Sequence, residues 1–274
     1  MWPDLGGVEG VPEALWMVGR EELLALPMRI AIVGTRSPSP YGEAQARRFA
    51  DGFARAGALV ISGLARGIDA AAHRAALDAG GATLAVLGSS VDRPWPADAL
   101  TLRMAREGLL LSEFPPGTSP RRHHFPLRNR IISGLSHAVV VIEAAYRSGS
   151  LITARWAADQ GRRVYALPGR VDHPMSRGCH RILREGAELV EDPGEVLAEL
   201  SGLPWAPGGE GPPSTLEADP LLDTLRGETL RAEELAERTK APLPDTLARL
   251  AELELGGRIH RAPGGLYRLA IRGG

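Results

Sequence analysis

The chain has 274 residues, enough for one large domain or two unequal ones, and its 32 basic and 33 acidic residues give a net charge of −1. A hydrophobic content of 44% and a charged content of 24% exclude a mostly disordered chain, a coiled coil and a collagen. A single cysteine, Cys179, excludes an intramolecular disulfide and a four-cysteine zinc site.

The N-terminal residues Met1–Asp4 lack the basic stretch and apolar core of a signal peptide. No apolar run approaches the roughly 20 residues that span a bilayer. We therefore expect a cytoplasmic protein without a membrane partner. The only lysine is Lys240, so no Walker-type phosphate loop precedes it, and that class of ATPase is excluded.

Six short apolar runs recur along the chain, and their starts are 25 to 30 residues apart. Continuous apolar runs are typical of strands buried on both faces, and several intervening segments carry apolar residues at helical spacing. After the first run, Ser39 can cap a helix whose first residue is Pro40. This alternation predicts an α/β fold with a doubly wound parallel sheet. The predicted strands are 30–33, 58–61, 84–87, 109–111, 139–142 and 164–167.

Composition divides the chain into segments. Residues 201–218 are rich in glycine and proline and are predicted to be a linker. Residues 219–274 show three helical patterns and then a strand–turn–strand pattern, which together predict a winged helix-turn-helix domain. We expect residues 28–200 to form the α/β domain and residues 1–27 to be a lead-in segment packed on the sheet.

The segments that follow the predicted strands are rich in glycine, serine and arginine. In an open parallel sheet, ligands bind outside the carboxyl ends of the strands. Glycines let backbone amides approach a ligand, helix N-termini add partial positive charge, and arginine side chains pair with phosphate. These strand ends therefore predict a phosphate-binding surface in preference to a set of tight turns. The candidate residues there are Gly34, Arg36, Ser62, Gly63, Arg66, Gly67, Arg147, Ser148, Gly149 and Ser150.

A basic stretch lies in the second half of the predicted α/β domain. Residues 121–185 contain 12 arginines and 4 acidic residues, a local net charge of +8 that indicates a polyanionic partner. An aromatic residue, Phe125, lies inside its first basic loop, a mixture typical of single-stranded nucleic-acid sites. The G-x-G-x-x-G fingerprint of dinucleotide binding is absent, so we predict no cofactor. No carboxylate or cysteine lies at ligand spacing near His123 and His124, so we predict no metal. The candidates in the loop are Arg121, Arg122, Phe125, Arg128, Asn129 and Arg130.

Four motifs occur along the chain in the order Ile32–Arg36, Ser62–Asp69, Phe125–Ser136 and Ser148–Ala154. Together they resemble the DprA/Smf family of DNA-processing proteins over roughly residues 11–200. The resemblance implies an extended Rossmann-like fold and a non-enzymatic homodimer that binds single-stranded DNA. It also implies that the protein protects incoming DNA and loads the RecA recombinase on it during natural transformation. By the same resemblance, Arg66 contacts DNA, while the loops 128–130 and 148–150 line the same pocket and the tail is the family's winged helix.

Two other functions stay open at this point. A nucleotide phosphoribohydrolase-like enzyme would share this kind of sheet, but the corresponding loop, 147–153, lacks the glutamate that follows in those enzymes. A transcription regulator would sense a metabolite with the sheet and read duplex DNA with the winged helix. The third helix of the tail, near Pro244–Leu255, has three acidic residues and one arginine. We therefore predict that the winged helix is not the main DNA-binding unit.

Two acidic residues near the motifs are predicted to have structural roles. Glu143, at the end of a strand, is expected to pair with Arg147 or Arg155. Asp69 is expected to orient Arg66 or to cap its helix in preference to binding a metal.

Overall fold

The structure, a computed structural model, describes residues 8, 10–202, 220–225, 229–255, 259–262 and 265–269. The chain divides into two compact units, Met1–Gly209 and Glu210–Gly274. The boundary between the units falls within the predicted linker, most of which lies outside the described residues.

Eight strands of the described N-terminal unit form one sheet. They are β1 (Trp16–Gly19), β2 (Arg29–Val33), β3 (Leu59–Ser62), β4 (Thr83–Val86), β5 (Leu109–Ser112), β6 (Ala138–Val141), β7 (Arg163–Ala166) and β8 (Glu188–Leu189). Their order is β1-β5-β4-β3-β2-β6-β7-β8, and every pair is parallel except β1 with β5. The doubly wound α/β fold predicted from the sequence is thereby confirmed. The strand order reverses at β2, which makes that strand the topological switch point of the sheet.

Helices cover both faces of this sheet. Among the described residues they are α1 (Pro40–Arg55), α2 (Ile68–Asp78), α3 (Ala99–Glu107), α4 (His124–Gly134), α5 (Ser150–Asp159), α6 (Arg177–Arg184) and α7 (Pro193–Ser201). Helix α1 begins as predicted, because Ser39 Oγ accepts from the Gly42 amide at 3.1 Å and Pro40 is the first helical residue. Within the described ranges, every helix is too short or too polar to span a bilayer.

Two apolar layers stabilise the N-terminal unit. On one face, Phe49 and Phe53 of α1 pack with Ile30 and Ile32 of β2, and on the other face residues of α4 and α5 pack with the alternate strand residues. Strands β3 to β6 are fully buried, which is why their sequences are continuous apolar runs.

The edges of the sheet differ from the sequence prediction. Residues 16–19, placed in a lead-in segment, form the antiparallel edge strand β1, and Glu188–Leu189 form the opposite edge strand β8. Both edge strands carry exposed residues, so neither has the continuous apolar run by which the inner strands were found. A 3-10 helix, Glu21–Ala25, follows β1 and buries Leu23 in the core.

The C-terminal unit is a winged helix, as predicted. Its described elements are α8 (Pro220–Thr224), β9 (Leu230–Arg231), α9 (Ala232–Thr239), α10 (Leu243–Leu255), β10 (Ile259–Ala262) and β11 (Leu266–Leu269). The predicted hairpin pairs β10 with β11, and β9 adds a third antiparallel strand that the sequence did not predict. Its core includes Leu225, Leu235, Leu250, Ile259 and Tyr267.

A neutral histidine lies buried in the core of the N-terminal unit. Thr83 Oγ1 donates to the Val60 carbonyl at 2.8 Å and therefore accepts from His73 Nδ1 at 2.7 Å. The other ring nitrogen of His73 is buried without a hydrogen-bond partner. Burial, reinforced by the nearby Arg128 and Arg74, lowers the pKa of His73 to about 3. The imidazole is neutral in the folded protein over the whole ordinary pH range.

We expect this histidine to make the protein less stable in acid. The unfolded chain protonates a histidine near pH 6.5 and the folded protein only near pH 3, so the free energy of unfolding falls as pH drops below 6.5. Protonation of one such group in the unfolded chain lowers the free energy of unfolding by up to about 1.4 kcal/mol for each pH unit. In urea unfolding, the free energy of unfolding should fall less between pH 6.5 and pH 4.5 for His73→Gln than for the wild type.

The comparison isolates His73, because His124 and His137, whose pKa values burial also lowers, are present in both proteins. Equal acid losses in the two proteins would contradict a buried neutral His73.

Candidate nucleic-acid interface

A groove of about 530 Å³ opens at the carboxyl ends of β2, β3 and β6, where the strand order reverses. We call it the switch-point groove. Its walls are the segments that follow these strands and the first turns of α4 and α5. The groove brings together nine of the predicted residues: Gly34, Arg36, Arg122, Phe125, Arg128, Asn129, Ser148, Gly149 and Ser150.

The guanidinium of an arginine lies over an aromatic ring in this groove. The guanidinium carbon of the exposed Arg36 is 5.5 Å from the centroid of the half-buried Phe125 ring. Gly88 packs closely against the Phe125 ring, since a Cβ at that glycine would come within 2.8 Å of the ring. The pair therefore offers a positive charge and a flat apolar surface at one place.

A buried glutamate fixes the loop that carries Arg36. The Glu143 carboxylate accepts from the Ser39 amide at 2.9 Å and from Ser39 Oγ at 2.5 Å, and the Glu143 carbonyl accepts from the Thr35 amide at 2.7 Å. Glu143 is 3% exposed, and Gly42 packs directly on its carboxylate. The predicted pairing of Glu143 with Arg147 or Arg155 is therefore wrong, because the chain brings a serine 104 residues away to this carboxylate.

A second buried carboxylate shapes the loop after β3. Asp69 accepts from the Gly63 amide at 3.2 Å and from the Ala65 amide at 3.4 Å. Asp69 neither orients Arg66 nor caps α2, whose N-cap residue is Gly67. Gly67 has φ +82°, a conformation that a side chain would strain, and a Cβ there would strike the Thr35 carbonyl oxygen. The hydrogen bonds to Asp69 and the close approach of Gly67 to Thr35 therefore fix the conformation of the loop 63–67.

Arg128 lies beneath the same loop. Its guanidinium packs against Gly63 and donates to the Val86 carbonyl, and the residue is 3% exposed. Burial lowers the pKa of Arg128 to about 10, so the side chain stays charged at neutral pH. Burial raises the pKa of Asp69, while the Arg128 charge and the two amide donors oppose that rise. Arg128 lines the groove as a buried positive charge with little surface to offer a ligand.

The structure places the other predicted residues outside the lining of the groove. Arg130 is buried in an ion pair with Glu113 at 2.7 Å and also donates to the Gly10 carbonyl, so we assign it a structural role and leave it out of the site. Ser62 is buried and donates to the Ile32 carbonyl at 2.6 Å. The side chains of Arg66, Arg121 and Arg147 are exposed.

The Ser148–Ser150 segment reaches the groove at the beginning of α5. Ser148 Oγ lies 2.8 Å from Ser150 Oγ and accepts from the Ser150 amide at 3.3 Å. Asn129 Nδ2 donates to the Gly149 carbonyl at 3.4 Å, which ties α4 to this segment. The start of α5 thus carries hydroxyl groups and a partial positive charge into the groove.

Neither metal ligation nor thiol chemistry is indicated in the described ranges. In those ranges no three histidine, cysteine, aspartate or glutamate residues come together in a cluster that could hold a metal ion. Burial raises the pKa of the Cys179 thiol to about 12, which leaves the sulfur protonated and unreactive.

We expect Gly63→Ala to destabilise the protein. The added Cβ would overlap the Arg128 guanidinium, which is buried and cannot swing away. Overpacking of this kind costs about 1–3 kcal/mol. Gly149→Ala is the matched control, because a Cβ there meets nothing within 4 Å and its φ is −63°. Urea unfolding should separate the two variants, and a fully stable Gly63→Ala protein would contradict the packing of Arg128.

Known proteins resemble both parts of the chain. Residues 2–201 match the family model described as DNA recombination-mediator protein A, and residues 205–265 match the DprA winged helix domain. Protein Smf of Escherichia coli (strain K12) is 43% identical over 282 residues, which cover 97% of this chain and 74% of that protein. Two relatives from Mycobacterium tuberculosis strains are 46% identical over 206 residues, and the chain spans about half of their length, 53%.

Solved structures of DNA processing protein A are also similar to this chain. The X-ray structure of DNA processing protein A from Streptococcus pneumoniae is 41% identical, with a TM-score of 0.69 over 75% of this chain and 72% of that one. DNA processing protein A from Helicobacter pylori is 30% identical, with a TM-score of 0.68 over 74% of this chain and 94% of that one. The Helicobacter pylori structure describes a single-stranded DNA binding mode.

Proposed function

The chain belongs to the DNA recombination-mediator protein A family, and from that premise we propose that it binds single-stranded DNA in the switch-point groove. The observation that carries the proposal is the placement of the Arg36 guanidinium over Phe125, 5.5 Å from the ring centroid, at the switch point of the sheet. A phosphate pairs with the guanidinium while a base stacks against the cation–aromatic pair, which is how single strands are held without regard to sequence.

The remaining contacts follow from the geometry of the groove. Arg122 and the start of α5 at Ser148–Ser150 are the further phosphate contacts, and the exposed Arg66 and Arg121 are outer contacts along the strand. Asp69 and Arg128 keep the loop after β3 in place below the DNA. Because these groups meet phosphates in preference to base edges, binding tolerates many sequences and weakens with salt.

We extend the proposal to the cellular role that the family implies. The protein acts in the cytoplasm as a homodimer, protects incoming single strands and loads the RecA recombinase on them during transformation. It acts as a binding protein and not as an enzyme. The loop 147–153 lacks the glutamate of a phosphoribohydrolase, and acidic α10 suits a duplex-reading regulator poorly. Sedimentation with and without RecA tests the partners, and nucleotide hydrolysis assays test the absence of catalysis.

We expect Arg36→Ala to weaken binding of a single-stranded oligonucleotide about tenfold or more, since a charge-assisted hydrogen bond is lost. The slope of log affinity against log salt should also become shallower by about 0.7, the value for one phosphate contact. Arg106→Ala, an exposed arginine on α3, is the matched control and should bind as the wild type. Fluorescence anisotropy over a salt series measures both quantities.

An Arg36→Ala protein with unchanged affinity and slope would remove Arg36 from the site. Stronger binding of duplex than of single-stranded DNA by the wild type would favour the regulator.

We expect the tail to add little to single-strand affinity. Helix α10 carries Asp245, Glu252 and Glu254, and its one arginine, Arg249, donates to Glu252 at 2.8 Å. A fragment ending at Gly202, the residue that terminates α7, should keep affinity within roughly threefold, because distant sites act nearly additively. A folded fragment that binds over tenfold more weakly would show that the tail is the DNA-binding unit.

A further inference from the structure

The carboxyl ends of β4 and β5 continue the edge of the sheet at which the switch-point groove opens. The strands β6-β2-β3-β4-β5 are neighbours in this order and all parallel, so the loops that follow them lie at one edge. Neighbouring strands are about 5 Å apart, which places the end of β5 about 10 Å from the end of β3. A DNA strand that leaves the groove across β3 therefore meets the loops after β4 and β5 next. We call these two loops, residues 88–98 and 113–123, the ledge.

The two loops of the ledge are joined by hydrogen bonds. Both oxygens of the Asp92 carboxylate accept from the Gly117 amide at 3.0 Å. The amide and the hydroxyl of Ser90 both donate to the Thr118 carbonyl at 3.1 Å. The ledge is therefore one continuous surface.

The ledge is also joined to the wall of the switch-point groove. Gly88, its first residue, packs against the Phe125 ring. The Gly88 carbonyl can only accept, so His124 Nδ1 donates to it at 3.1 Å. The His124 ring stacks on Phe114 of the second loop, with 4.0 Å between the ring centroids. These contacts fix the ledge against the first turn of α4, which carries Phe125.

A tryptophan is exposed on the first loop of the ledge. Trp95 is 53% exposed and lies between Pro94 and Pro96, and the Pro96 carbonyl accepts from Thr101 Oγ1 at 2.6 Å. The two prolines restrict the backbone, so little backbone freedom is lost when a ligand covers the ring. Exposed aromatic rings are enriched where proteins meet their ligands and partners.

The three arginines of the ledge are exposed, whereas donors within the protein engage its three acidic residues. Besides the Asp92 bond to the second loop, Asp98 accepts from the Thr101 amide at 3.0 Å, and Glu113 pairs with Arg130 at 2.7 Å. These donors offset part of the negative charge, so the outward-facing charge is mainly that of the guanidinium groups. The exposed arginines are Arg93, Arg121 and Arg122.

We propose that the ledge is a second subsite for the same DNA strand, in which a base stacks on Trp95 and a phosphate pairs with Arg93. This inference rests on the proposed function and extends it. Two observations favour a nucleic-acid strand over a protein segment as the occupant. The ledge is continuous with the groove through Phe125, and its exposed aromatic ring is accompanied by exposed arginines, the combination that holds single strands.

The subsite predicts an effect that depends on the length of the DNA. An oligothymidylate of about 5 nucleotides fills the switch-point groove alone, whereas one of about 20 nucleotides also covers the ledge. Trp95→Ala should bind the short strand as the wild type does and the long strand about tenfold more weakly. Its salt slope should equal that of the wild type, because a stacked base carries no charge. Arg93→Ala should also weaken binding of the long strand, with a slope shallower by about 0.7.

Tryptophan fluorescence tests the stacking directly. A base stacked on Trp95 quenches its emission, so the long strand should quench the wild type more than it quenches Trp95→Phe. The phenylalanine keeps a ring on which a base can stack, so this variant should retain most of the affinity. Equal quenching of the two proteins would overturn stacking on Trp95.

Two exposed residues of α3 outside the ledge give matched controls. Leu102→Ala, an exposed apolar side chain, and Arg106→Ala, an exposed arginine, should bind both strands as the wild type does. Unchanged binding of the long strand by Trp95→Ala and Arg93→Ala would overturn the subsite and leave the exposed ring to a protein partner. An equal loss for both strands would overturn it as well, since the residues would then act on the first site.

The wild type separates this inference from the proposed function. If it binds the short strand and Arg36→Ala does not, the proposed function holds whatever the ledge variants do. If the wild type binds neither strand, the proposed function and the second subsite fail together.

Discussion

The reversal of strand order at β2 is the constraint on which the rest of the N-terminal unit depends. Because β2 lies between β3 and β6, the helices that follow β2 and β6 pack on opposite faces of the sheet. Their first turns diverge, and a crevice must open between them. The loops that follow these strands therefore meet around the switch-point groove, although they come from parts of the sequence more than 100 residues apart.

Buried polar groups give that crevice its shape. Glu143 holds Ser39 and thereby the loop of Arg36, while Asp69 accepts two amides of the loop after β3, beneath which Arg128 packs. Each of these polar groups is costly to bury, and the hydrogen bonds that Glu143 and Asp69 accept and that Arg128 donates offset part of that cost. The exposed groups proposed to meet DNA are thus held in position before any ligand arrives.

The basic stretch at 121–185 does not act as one uniform surface. Arg130 is paired internally with Glu113, and Arg163 and Arg181 are paired with Glu188 and Glu185 at the surface. What is left for a polyanion is a smaller set of exposed arginines, among them Arg121, Arg122 and Arg147. Local distribution of charge, and not the net charge of −1, decides where a nucleic acid is attracted.

The sequence by itself determined the inner strands, the start of α1 at Ser39-Pro40, the winged helix and nine of the groove residues. Burial on both faces demands continuous apolar runs, and caps and strand ends have local signatures. Only the tertiary structure decided the edge strands β1 and β8, the partners of Glu143 and Asp69, and the burial of Arg128 and Arg130. The sequence does not show whether a charged side chain contacts solvent or a buried carboxylate, because long-range packing determines which group lies next to it.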